Sequence, residues 1–172
     1  METSQNTHTS NYSILPVLKQ YTKTDNKFAF EQYPENVKDP IWLSNTLQMS
    51  LNEFENQYWI AANQIGFDFR VIYIRGFESA MFNPIIVDSG DELATLDEIN
   101  PSFDGLICPV SRPKNIRVRS TDVFCNTETN IYTGLTARAI QSAIDALDGV
   151  LFYNRANRYH RNAALKKWED NK

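Results

Sequence analysis

Few residues in this chain have side chains suited to chemistry, and their spacing is unhelpful. Histidine occurs twice, at His8 and His160, and cysteine twice, at Cys108 and Cys125. Two histidines at i and i+4 would let one helix offer two ligands to one metal. In "ARAIQSAIDALDGVLF", residues 137–152, Ser142 and Ala146 stand four apart on one helical face. Nothing reactive points from that face. Cys108 as a nucleophile would need a base and a cationic or helix-N-terminal setting. His160 would have to reach it from the C-terminal region, so an ordinary buried thiol is the plainer reading. A metal site made of Cys108 and Asp145 fails on direction, because successive helix residues turn by about 100°. Asp145 therefore leaves the Ser142/Ala146 face. His8 lies in a polar stretch and reads as a solvated side chain.

Positioning these residues requires regular elements, and the patterning supplies them. In "KDPIWLSNTLQMSLNEF", Asp39 can cap a helix and Pro40 suits its first turn, where a missing N–H costs nothing. Leu43, Leu47, Leu51 and Phe54 then make one apolar face. "FRVIYIRG" and "AMFNPIIVDSG" read as strands, with Asn83-Pro84 an edge or turn signal. "NIRVRSTDVFC" alternates Ile116 and Val118 against Arg117 and Arg119. "TNIYTG" is a weaker strand. Ile140, Ala143, Ile144, Leu147 and Leu151 follow a helical period, and small residues such as Ala139 suit a tightly buried helix. Asp148-Gly149 stops that helix, and an apolar strand is expected after it. "NRYHRNAALKKWED" is a third, mostly exposed helix.

The chain has 172 residues, 42% of them hydrophobic, and a formal net charge of −4. That length suits one domain with tails and a core that needs no crosslink. The acid balance argues against nucleic acid as a partner. No apolar run approaches the roughly 18 residues of a membrane span, so no membrane is expected. Two cysteines without a CxxC or a signal peptide point to a reducing, cytoplasmic setting. Basic residues gather at the end, where Arg155, Arg158, Arg161, Lys166, Lys167 and Lys172 face only Glu169 and Asp170. That end is a solvated helix face or a docking surface for an acidic partner.

Three segments, in order, resemble the peptide deformylases. "IAANQIGFDFRVIYI" is similar to that family's "GxGLAAxQIG" motif, with Ala61, Ala62, Gln64, Ile65 and Gly66 in place. "FDGLICP" resembles "EGCLS". "IQSAIDALDGVLF" resembles "QHEIDHLDGVLF" almost without gaps, and "FNPIIVDSG" is also similar to the family. The resemblance covers roughly residues 13–155. It implies an α+β deformylase-like fold with the Ala139–Leu147 helix packed centrally against β-strands. It divides the chain into a polar arm at 1–12, the domain at 13–155 and a basic C-terminal helix at 156–172.

The family's activity, removal of the formyl group from nascent peptide N-termini, uses a metal held by one cysteine and two histidines. By the resemblance the cysteine falls on Leu106, the histidines on Ser142 and Ala146, and the glutamate that handles the water's proton on Ala143. The motif's serine falls on Cys108, and its glycines on Gln57 and Trp59. Gln64 matches the glutamine that helps stabilise the developing oxyanion, although a buried amide bonding backbone groups for the sake of the fold is the plainer reading. The loop after Cys108 is short, and Trp59 would fill the space for a substrate backbone.

On this basis the expected protein is a catalytically inactive pseudoenzyme. Its vestigial pocket comprises Gln64, Leu106, Cys108, Ser142, Ala143 and Ala146, and it has no metal and no cofactor. It would act as a structural or interaction component, with protein partners on the arm and the C-terminal helix. Deformylase-like genes in bacteriophages extend the expectation to a virion or tail component. The alternatives are a residual or altered hydrolase acting on formylated peptide N-termini, and a module that holds such a terminus without cleaving it.

Overall fold

The computed structural model describes residue 15, residues 17 and 18, and residues 21–171. The polar arm at 1–12, with His8, lies outside the described residues.

Helix α1, Pro40–Asn52, starts where Asp39 stops the extended chain. The Asp39 carboxylate accepts from the Trp42 N–H at 2.7 Å, satisfying an amide the first turn leaves unpaired. Leu43, Leu47 and Leu51 are fully buried along one stripe. Phe54 falls beyond the helix and is only partly buried.

Five strands form one antiparallel sheet in the order β1-β2-β3-β6-β7. They are β1 (Trp59–Ala61), β2 (Val71–Ile74), β3 (Met81–Ser89), β6 (Asn115–Thr121) and β7 (Thr127–Thr133). Side chains alternate between its faces, as the pleat requires. Ile60, Val71, Tyr73 and Phe82 join the α1 side of the core, together with Phe28 and Trp42. Trp59, Ala61, Ile72, Ile74, Met81, Ile116 and Val118 join the opposite side. β3 runs through Asn83-Pro84 with an irregular register rather than ending there. Asn83 takes a positive φ of 51°. Its amide exchanges two hydrogen bonds with the Phe28 backbone, at 2.7 and 3.0 Å, in place of the lost ladder.

The opposite side is covered by helix α2, Gly134–Leu147. Ala137, Ile140, Ala143 and Leu147 pack there, and eleven consecutive residues of α2, Ala137–Leu147, are buried. A second sheet, the β4 (Leu93–Glu98) and β5 (Cys108–Pro113) hairpin, lies against α2 as well. The central helix expected from the sequence is therefore present, flanked by strands. Asp148 caps it, and Gly149 follows at a φ of +69°.

The segment after Gly149 corrects the sequence reading. It is a 3-10 turn, Phe152–Arg155, not a strand. Phe152 is buried with Leu106, Cys108 and Val110, so its apolar character reflects a plug in the β5 side of the core. Helix α3, Arg158–Asp170, begins at Asn157, whose side chain accepts from the His160 N–H. It docks through Ala164 and through Trp168, whose indole donates to the Asp104 carbonyl at 2.7 Å. No described helix is long and apolar enough to cross a membrane.

Candidate active site

Between the outer edge of β1, the end of β4 and the first turns of α2 lies a hollow of about 320 Å³. Trp59, Leu96, Ile99, Ile107, Leu135 and Ala139 give it mostly apolar walls. Gln57, Glu98, Arg138 and Ser142 are its buried polar lining. Trp59 forms a wall without closing the space, contrary to the expectation of a filled groove. Leu96 and Leu135 stand in the rim and are exposed.

Beneath this lining is a buried charge cluster. Arg112 on β5 donates from Nε and Nη2 to the two oxygens of Glu98, at 2.6 and 2.9 Å, a bidentate fork. Its Nη1 donates to Asp145 on α2 at 2.7 Å. Arg138 on α2 donates to Glu98 at 2.5 Å and to the Val110 carbonyl at 3.0 Å, and also bonds the Ala94 carbonyl. Arg155 closes the far side with 2.6 and 3.1 Å bonds to Asp145. Burial alone would pull the Arg112 guanidinium down. The bonds and charges of Glu98 and Asp145 outweigh that and hold it above its ordinary value.

Ser142 belongs to this cluster. Its hydroxyl donates to Glu98 at 3.1 Å and lies 3.4 Å from Arg112 Nη2. The helix face expected to be inert thus meets a buried carboxylate and a guanidinium. Arg112 also reaches Asp145, which corrects the expectation that Asp145 leaves this face: at i and i+3 Ser142 and Asp145 are neighbours on one side of the helix. None of Glu98, Arg112 and Arg138 was singled out in the sequence. The available hint was that acids and arginines flank the "FDGLICP" segment and open α2, with nothing in their spacing to pair them.

The other expected pocket residues separate. Ala143 and Ala146 are buried on α2 against the large sheet. Leu106 and Cys108 lie in the cluster under α3. Burial, and then the charges of Asp97 and Glu98, push the Cys108 thiol up, away from thiolate character. His160 is engaged with Asn157. Gln64 is fully buried. Its oxygen accepts from the Ala61 N–H at 3.0 Å, and its amide donates to Asn100 and Ser102, both at 3.1 Å. Both of its ends are committed to holding the turn after β1 against the loop that carries Asn100.

A family model described as "Polypeptide deformylase" matches residues 16–162. The chain belongs to this family. Among solved structures, a peptide deformylase from Ehrlichia chaffeensis in complex with actinonin superposes with a TM-score of 0.75 at 23% identity, covering 93% of this chain and 98% of that one. A Plasmodium falciparum peptide deformylase complexed with an inhibitor gives 0.72 at 21%, covering 90% and 93%. These establish the α+β deformylase fold. A curated peptide deformylase of Rhodopseudomonas palustris (strain BisB18) is 33% identical over 90 residues, 52% of this chain and 51% of its own length. One from Natranaerobius thermophilus is 37% identical over 105 residues, 59% and 67%. The chain spans about half the length of the first curated relatives it matches.

Membership overturns the expectation of a metal-free pseudoenzyme serving as a structural, virion or tail component. The matched curated relatives are named peptide deformylases. The physical reason that expectation went too far is that a missing ligand set concerns one way of activating water. It does not concern the hollow beside it, which this chain lines with ionisable groups. The metal that the resemblance implies still does not fit the residues at its ligand positions. Leu106 and Ala146 carry no donor atom, and the Ser142 hydroxyl is engaged with Glu98 and Arg112.

Proposed function

We propose that this protein acts on formylated peptide N-termini, as a hydrolase whose chemistry is altered from that of its relatives. The observation that carries this reading is the apolar-walled hollow of about 320 Å³ opening beside Ser142. Its volume lies at the small end of the range for ligand pockets and has room for one side chain of a peptide. In this reading the first residue's side chain enters the hollow and the peptide leaves past the exposed Leu96 and Leu135. Water adds to the formyl carbon, the C–N bond breaks, formate departs and the freed amine takes the proton. This chain's contribution is to seat the terminus and exclude water behind it. Glu98, fixed by two arginines, holds Ser142 and the helix start at set positions. A cytoplasmic setting accords with the two free cysteines.

The test is formate release from a formyl-methionyl tripeptide by the full chain, with binding followed in parallel by calorimetry. Formate release above the uncatalysed rate supports the reading. Binding without formate would favour the second alternative, a module that holds the terminus without cleaving it; the absence of donor atoms at Leu106, Ala143 and Ala146 is the observation on its side. Neither binding nor release would remove both.

A further inference from the structure

Arg138 has donors to spare, and its side chain lines the hollow. Its Nη1 spends both hydrogens, on Glu98 and on the Val110 carbonyl, and its Nη2 spends one on the Ala94 carbonyl. Nε and the second Nη2 hydrogen have no hydrogen-bond partner among the described residues. The side chain is about 10% exposed. A guanidinium carries five donors, and those not spent inside the protein are open to an incoming acceptor. Arg138 lines the hollow beside Ser142 and also a second one of about 240 Å³, and the two share Leu96, Leu135 and Arg138. A side chain entering past the apolar rim therefore comes beside a guanidinium with N–H groups still to spend.

We propose that Arg138 is a specificity-determining residue of this cleft: it selects a first side chain that is apolar along its stem and ends in a neutral hydrogen-bond acceptor. The proposal rests on the formyl-peptide reading and deepens it. Neutrality follows from what surrounds the guanidinium. Glu98 and Asp145 together balance the buried Arg112 and Arg138, and Asp97 lines the same hollow. A carboxylate arriving there would meet like charges, whereas an amide or sulfoxide oxygen adds a bond without adding charge. The apolar stem is dictated by Trp59, Leu96, Ile107 and Leu135.

The experiment is a calorimetric series on the full chain with formylated tripeptides that differ only in the first side chain: norleucine, methionine sulfoxide, glutamine and glutamate. Norleucine matches the length and lacks the acceptor. Methionine sulfoxide and glutamine should bind about tenfold tighter than norleucine, as expected for one bond to a charged donor, and glutamate weaker than glutamine. In Arg138→Met that preference should vanish, with norleucine binding at least as well as in the native chain. The native series decides the matter even where the variant does not fold. Peptides that all bind with no preference for an acceptor would overturn this inference alone. Failure of every peptide to bind would overturn the formyl-peptide reading and this inference with it.

Discussion

Arg112 joins two carboxylates that sit on different elements, and each is at least nine-tenths buried. Removing one partner from such a cluster leaves charges without a counter-charge in a poorly solvated place. Arg112→Met should therefore destabilise the protein by roughly 3–5 kcal/mol, read as a drop in the urea midpoint at an unchanged slope. Tyr21 gives a second test. Burial raises its phenol from 10.0 to about 12, against the opposing hydrogen bond from Asn100. A raised pKa means that the folded state holds its proton where the unfolded chain has lost it. The associated stability is complete below pH 10 and is lost as pH climbs from about 10 to about 12, an amount of roughly 2–3 kcal/mol. A Tyr21→Phe variant should flatten that part of an alkaline stability profile; an unchanged slope would assign it to other groups.

Helix α2 is the element on which everything converges, and its C-terminal stop is steric. Gly149 has a positive φ, and a Cβ there would lie 3.1 Å from the Lys23 backbone nitrogen and Cβ. The Thr24 N–H donates to the Leu147 carbonyl at 2.8 Å, so this segment is stitched to the helix end and cannot easily retreat. Gly149→Ala should cost about 1–2 kcal/mol from the left-handed conformation alone, and more if the Lys23 contact does not relax. Thermal melts compared with an Ala substitution at exposed Gly76, whose φ of +89° lies in that region but whose added Cβ would meet nothing within 4 Å, would separate the two contributions. At the other end of the chain's first helix, the Asp39 cap was legible because capping depends on residues three apart. Among the strands, β6 was legible because its alternation is written locally, whereas β2 and β3 were read as apolar runs closed by turn residues and β7 as a weaker candidate. β1, β4 and β5 were not singled out. β1 has three residues, all of them buried, and β4 exposes nearly its whole length, so neither shows a period of two.

At the scale of the molecule, the β4–β5 hairpin is a separate two-stranded sheet, held to α2 partly by the charge cluster. Glu98→Gln would leave both arginines short of charge and loosen that attachment while sparing the α1 side of the core. Hydrogen exchange should then speed up across Leu93–Glu98 and leave Leu43–Leu51 unchanged; uniform acceleration would mean that the hairpin and the core open together. The same cluster explains why the site was only half readable. Ser142, Ala143 and Ala146 could be placed by their motif, as could Leu106. The residues that give the cleft its charge could not. Arg112 meets Glu98 from 14 residues away and Asp145 from 33, and Arg138 meets Glu98 from 40. Those encounters depend on the β4–β5 register and on the angle at which the hairpin meets the helix.

The amino-acid sequence by itself determined the family, the buried helix with its cap residues and glycine stop, and the alternating strands. All of these rest on patterns a few residues long, which backbone geometry imposes directly. Only the tertiary structure decided that the face of α2 carrying Ser142 looks onto a carboxylate, that two arginines converge on it, and that a hollow stays open beside Trp59. Charges distant in the chain are brought within hydrogen-bond reach by packing, and no local spacing encodes that.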